Sequence, residues 1–229
     1  MATNTLFGTE SQQDALFAME SQRGMEFPRS LTEEFRPIRI ADFVGLEKPK
    51  KILANLVKAP RPCAILMVGP PGCGKTTISQ AFSAELNATL WEVGSQECSV
   101  DRLRELTFHL SFVPKAGLTG YHVAVVNEAD CMSDAASKFL LSKLDSSGQL
   151  KNVIWIFTAN DTERLEERFI SRCLKLDFNS YGSSEAISEL MSKIWKVKAG
   201  DTPAPNFKKI VCGNVRESLQ KLEVELLAV

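Results

Sequence analysis

Two short stretches carry the residues that could do chemistry. Gly69 to Thr76 reads GPPGCGKT, the spacing G-x-x-x-x-G-K-[ST], between an apolar run (CAILMV) and a segment of helical composition. Glycines at this spacing let backbone N–H groups approach phosphate oxygens, and the N-terminus of the following helix adds a favourable dipole. Gly69, Pro70, Pro71, Gly72, Cys73 and Gly74 form the cradle, Lys75 reaches the outer phosphates, Thr76 offers its hydroxyl to Mg²⁺, and Thr77 continues into the helix. The implied ligand is a nucleoside triphosphate with its magnesium ion.

VAVVNEAD, residues 123–130, ends an apolar run on an amide and a carboxylate. In phosphoryl-transfer sites of this layout, an acid at the strand end secures the metal shell and the following Glu polarises the attacking water. Those positions are Asn127 and Glu128. Asn127 keeps an acceptor oxygen without the charge, so weaker Mg²⁺ affinity is expected, while Glu128 retains the means of catalysis. Asn160 in FTAN ends another apolar run and can hold the same water. A cap or turn residue is the plainer reading of an Asn there.

The elements that must position these groups follow from periodicity. A helix is expected from about Lys48 to Lys58, with Ile52, Leu53, Leu56 and Val57 on one stripe and Pro60 and Pro62 as the stop. CAILMV, TLWEVG, HVAVVNE and NVIWIFTAN read as four strands. Between them lie the helix after the glycine loop, a helix capped by Ser99 with Val100, Leu103, Leu106 and Leu110 on one face, and DAASKFLLSKLDSSG ending at Gly148. Apolar strands alternating with helices imply an α/β fold, a parallel sheet covered on both faces. From Ser183 the pattern is helical only. The expected organisation is a flexible leader over 1–30, a nucleotide-binding α/β domain over 31–180 and a small helical lid over 181–229.

Bulk properties exclude little. The 229 residues carry a formal net charge of −1 and a pI of about 6.2, so any DNA contact must come from a local patch. Six cysteines are scattered without a C-x-x-C pair, which fits a reducing cytoplasm. No run approaches the ~18 apolar residues of a membrane span, and no membrane role is expected.

FRPIRIADFVGLEKPKKIL, GPPGCGKT, VVNEAD, FTAN, RFISRC and GNVRESLQKLE fall in the order and spacing of AAA+ ATPases. Within that group the chain resembles the small subunits of replication factor C and other clamp loaders, from about Leu31 to Leu227. The resemblance implies a P-loop AAA+ sheet with a helical lid, ATP and Mg²⁺ as ligands, and a homo- or hetero-oligomer of AAA+ subunits acting on DNA. It makes Arg172 in SRC the finger that completes a neighbour's site in trans, and Arg216 in GNVR the lid residue sensing the γ-phosphate. It also sets Val44 and Gly45 near the adenine. Without it, Arg172 reads as a surface arginine paired with an acid such as Asp177. The family's collar domain has no counterpart in the expected organisation.

Such assemblies grip DNA through phosphates rather than bases. The candidates are Arg102 and Arg104 on one helix and Lys138 and Lys143 on the next, although solvated helix faces read the same way. In the leader, QDALF resembles the peptide that partners insert into bacterial sliding clamps, with Gln13 as hydrogen bonder and Leu16 and Phe17 as anchors. Two other readings compete with a clamp-loader-like ATPase. One is an ATP-controlled assembly scaffold with weak hydrolysis. The other is an AAA+ protein remodeller, disfavoured because no aromatic-Val-Gly loop lies between Trp91 and Val113. A DEAD-type helicase is excluded by the missing second RecA-like domain.

Overall fold

The computed structural model describes residues 29–113, 119–145, 150–178, 184–212 and 214–228. The chain divides into Met1–Ser30 and Leu31–Val229, and every described element belongs to the second unit. Gln13, Leu16 and Phe17 lie outside the described residues.

Five parallel strands, β1 (Cys63–Val68), β2 (Thr89–Gly94), β3 (His122–Asn127), β4 (Val153–Ala159) and β5 (Leu174–Asp177), form one sheet in the order β2-β3-β4-β1-β5. β1 and β4 are buried along their whole lengths, which explains their uninterrupted apolar sequences. Alternate residues supply two cores. Leu66, Val126, Trp155 and Phe157 face Leu103, Leu106 and Leu110 of α3 (Val100–Leu110) and Leu140 and Leu144 of α4 (Asp134–Leu144). Ile65, Met67, Val125 and Ile156 face Leu53 and Leu56 of α1 (Glu47–Lys58) and Ile78 and Phe82 of α2 (Lys75–Glu85).

β5 is absent from the four-strand reading of the sequence. It is short, and of its four residues only Leu176 is buried, so LKLD carries too little apolar pattern to announce a strand. It pairs with β1 from Ile65↔Leu174 to Val68↔Asp177 and places β1 between β4 and β5. From β1 the chain crosses to the far edge at β2 and returns through β3 and β4. The carboxyl end of β1 is therefore where strand order reverses, the crevice in which open α/β sheets bind ligands. The fourth helix also differs from expectation. α4 stops at Leu144, with Asp145 extended at φ −69° and ψ 146°, and Gly148 lies outside the described residues.

α5 (Ser184–Ala199), the turn Phe207–Ile210 and α6 (Val215–Leu227) bury Ile187, Met191, Ile194, Trp195, Leu219 and Leu222 in a separate lid core. Leu31 and Phe35, assigned by sequence to the α/β segment, pack into this core. The Leu31 N–H donates to Glu223 Oε1 at 3.2 Å, and Glu34 pairs with Lys198 at 2.6 Å. The entering segment thereby straps the lid.

Candidate nucleotide site

The phosphate loop leaves β1 at Gly69, whose N–H donates to the Ala159 carbonyl at 3.2 Å. A Cβ on Gly69 would lie 2.6 Å from the Phe178 Cβ, so only glycine fits where the loop crosses the end of β5. Gly72 has φ +79°, and a Cβ there would lie 2.8 Å from Asn214 Oδ1 at the start of α6. The loop is thus seated against the lid helix as well as the sheet.

Lys75 is only 9% exposed. Its Nζ donates to the carbonyls of Gly69 (2.6 Å) and Pro70 (3.0 Å) and to Asn160 Oδ1 (3.3 Å). Burial pushes the ammonium pKa down; Cys73 and Asp130 oppose that shift, and Arg216 adds to it. A cation kept on loop carbonyls and one amide oxygen is ready to exchange them for phosphate oxygens.

The Thr76 hydroxyl donates to Asn127 Oδ1 at 3.0 Å, and the Thr158 hydroxyl donates to the same oxygen at 3.3 Å. Thr158 Oγ1 in turn accepts the Glu128 N–H at 3.1 Å. Thr76 and Asn127 thus place a hydroxyl and an amide oxygen side by side, both neutral hard donors. That set fits Mg²⁺ in the way the ion usually binds, through few protein ligands with phosphate oxygens and water completing the shell. The charge of a strand-end carboxylate is missing.

Glu128 stands exposed with φ 55°, a conformation uncommon outside glycine. It opens the helical turn Ala129–Cys131, in which Asp130 Oδ2 accepts the Asn160 N–H at 3.3 Å. Lys75 with Asn160, and Thr76 with Asn127, therefore form two bonded pairs on consecutive residues of the loop, with Glu128 on the adjoining turn. Thr158 and Asp130 carry no separate signal in the sequence, although both sit inside the FTAN and NEAD stretches.

On the lid side, Arg216 lies in the first turn of α6 with its Cβ 3.2 Å from where a Gly72 Cβ would be. It lines a cavity of about 130 Å³ together with Phe35, Phe43, Val44, Thr77 and Leu219. Val44 is thus one wall of this cavity, and Gly45, at φ +64°, turns the chain into α1. Phe35 and Leu219 come from distant segments that no local pattern connects.

The remaining candidates lie elsewhere. Arg172 donates through Nε to Asp145 Oδ1 at 2.6 Å and through Nη1 to the Arg168 carbonyl at 2.5 Å. The acid it meets is Asp145 rather than Asp177, because the end of α4 returns beside this turn. Arg102 and Arg104 are exposed, and each pairs with an acid one helical turn away, Glu105 at 2.6 Å and Asp101 at 2.9 Å. Lys143 lies 5.5 Å over the Phe139 ring, and Lys138 is exposed.

Sequence reading overlooks Phe108, Phe112 and Val113, which are 63%, 56% and 78% exposed near the end of α3. The Trp91 indole N–H donates to His122 Nδ1 at 3.1 Å, so His122 Nε2 carries the proton given to the Phe112 carbonyl at 2.7 Å. That bond anchors the exposed end. Among the described residues no helix is long and apolar enough to cross a membrane.

The family model for ATPases associated with various cellular activities (AAA) matches residues 65–180. Replication factor C small subunit 2 of Pyrobaculum islandicum is 26% identical over 200 residues, covering 84% of this chain and 62% of that protein. The replication factor C small subunit of Methanoregula boonei is 25% identical over 168 residues, covering 71% of this chain and 51% of that protein. The chain thus spans less than two thirds of these relatives. In fold it resembles the Thermotoga maritima RuvB Holliday junction branch migration motor, with a TM-score of 0.64, 19% identity, and coverage of 81% of this chain and 63% of that one. A mutant of the same RuvB gives a TM-score of 0.69 at 18% identity over 85% of this chain and 68% of that one. The matched segment runs from β1 past β5 and includes the phosphate loop, Asn127, Glu128, Asn160 and Arg172, so the chain belongs to the AAA family of ATPases.

Proposed function

We propose that the chain binds ATP between the phosphate loop and the lid and hydrolyses it as one subunit of an AAA+ assembly acting on DNA and a sliding clamp. The observation that carries this reading is the position of Lys75, buried and bonded to Gly69, Pro70 and Asn160. It joins the phosphate cradle to the residue suited to orient water. Lys75 holds the outer phosphates, Glu128 takes the proton of the attacking water, and Asn160 positions that water. Thr76 and Asn127 hold magnesium, which screens phosphate charge when bound. Arg216 reads the nucleotide from the lid, and Arg172 reaches a neighbour's nucleotide.

DNA contact would fall to Arg102, Arg104, Lys138 and Lys143, and a clamp contact to Gln13, Leu16 and Phe17. The exposed Phe108, Phe112 and Val113 add a surface suited to a protein partner. A cytoplasmic location follows from this role.

The deciding measurement is steady-state ATP hydrolysis across protein concentrations, with and without primed DNA. Activity per subunit that climbs with both supports the reading. ATP bound but not hydrolysed under every condition refutes it and leaves the assembly scaffold, which the neutral, doubly engaged Asn127 favours. Glu128→Gln should reduce turnover about 10²-fold or more while ATP affinity is kept.

A further inference from the structure

We infer that Asp130 is a positioning residue for hydrolysis: its carboxylate holds the Asn160 tip of β4 against the turn that carries Glu128. This deepens the ATPase reading and rests on it. Four observations converge on Asp130. First, it is only 9% exposed, and its Oδ2 accepts the Asn160 N–H at 3.3 Å. That N–H lies one residue past the end of β4, where the sheet ladder has stopped, so the carboxylate takes over from the ladder. Second, the same Asn160 accepts from Lys75 through Oδ1 at 3.3 Å, so Asp130 holds the backbone of a residue whose side chain meets the phosphate-binding cation.

Third, Asp130 belongs to the turn Ala129–Cys131 that Glu128 opens in a left-handed conformation. The base and the water-orienting amide are therefore both tied to one buried carboxylate. Fourth, Asp130 Oδ1 is buried with no hydrogen-bond partner, the single such side-chain atom among the described residues. Leaving a buried carboxylate oxygen unpaired costs stability, and groups retained at that cost need an explanation. The hold on the Asn160 N–H and on the turn that Glu128 opens provides one.

Asp130→Ala removes both the acceptor and the charge, whereas Asp130→Asn keeps an acceptor for the Asn160 N–H and removes only the charge. In the full chain without nucleotide, the Asn160 amide proton of Asp130→Ala should exchange about ten-fold faster, the factor expected for loss of one ordinary hydrogen bond. Asp130→Asn should exchange close to the original rate. In the assembled state, Asp130→Ala should lose on the order of 10- to 100-fold in kcat with KM within about three-fold, because misplacing a water-orienting group affects the chemical step and leaves binding alone. Asp130→Asn should fall between.

Unchanged Asn160 exchange in Asp130→Ala overturns the inference, as does a loss of fluorescent-ATP affinity as large as the loss of kcat. If Asp130→Ala does not fold, Asp130→Ser, which is shorter than Asp, takes its place with the same expected outcomes. If the unaltered chain binds ATP without hydrolysing it, the ATPase reading falls, and exchange at Asn160 still decides whether Asp130 holds the strand tip.

Discussion

Lys75 and Arg172 are both cations assigned to phosphate, and the molecule treats them in opposite ways. Lys75 is buried and bonded to two backbone carbonyls and an amide oxygen, with its ammonium disfavoured by burial. Arg172 keeps a third of its side chain exposed and rests on Asp145, itself about half exposed. Desolvating a cation is costly, so a buried lysine persists only where a rigid cradle satisfies it and a ligand rewards it. An exposed ion pair is worth about 0–1 kcal/mol, so Arg172 can leave Asp145 for a stronger anion at little cost. The contrast separates a cation built into a buried cradle from one that rests on an exposed ion pair and is available to an anion presented from outside.

The largest test of that contrast is Arg172→Ala. Assembly-stimulated turnover should fall about 10³-fold, the lower end for a finger supplied in trans, while ATP affinity and melting temperature scarcely move. An equal loss in dilute, unassembled protein would erase the distinction between the two cations. Next, Lys75→Ala should weaken ATP binding by about 10²-fold in a fluorescent-analogue titration, since several charge-assisted hydrogen bonds go with it. Retained affinity would mean that the buried lysine is structural only.

A smaller effect is expected from Asn127→Asp, which restores a charge beside Thr76. Turnover should rise about five-fold with a lower Mg²⁺ requirement, the scale of a charge interaction of ~1 kcal/mol. No change, or a fall, would sink that account of Asn127. The mildest test concerns accessibility. Burial pushes the Cys63 thiol up to about 11 and the Cys173 thiol, beside the arginine turn, up to about 12. Iodoacetamide at pH 8 should therefore modify exposed Cys131 first and spare both, as read by peptide mass spectrometry. Rapid labelling of Cys173 would show that the Arg172 turn opens far more readily than its ion pair implies.

Much of the site was legible because its residues sit in contiguous motifs whose spacing is itself the geometry. Gly69 to Thr76 must leave a buried strand and enter a helix, and it does. Asn127 ends β3 and Asn160 follows the last residue of β4, strands that the apolar runs predicted within a residue. Less legible were features that depend on exposure or on distant partners. β5 is a four-residue edge strand with one buried side chain. Phe108 and Phe112 have the composition of core and the placement of surface. The acid facing Arg172 is Asp145, whose proximity arises only when the end of α4 comes back beside the arginine turn.

The order of β1 to β4 and their intervening helices, the phosphate loop and the identities of Lys75, Thr76, Asn127, Glu128 and Asn160 were determined by the sequence alone, because short-range spacing and apolar periodicity act through backbone geometry shared by all chains. Tertiary structure decided the rest. It put Leu31 and Phe35 into the lid core, closed a cavity with Arg216, Val44 and Phe43, and left Asp130 buried between the two strand ends. These contacts join residues tens to hundreds of positions apart, and their energies depend on burial and charge that exist only once the chain has folded.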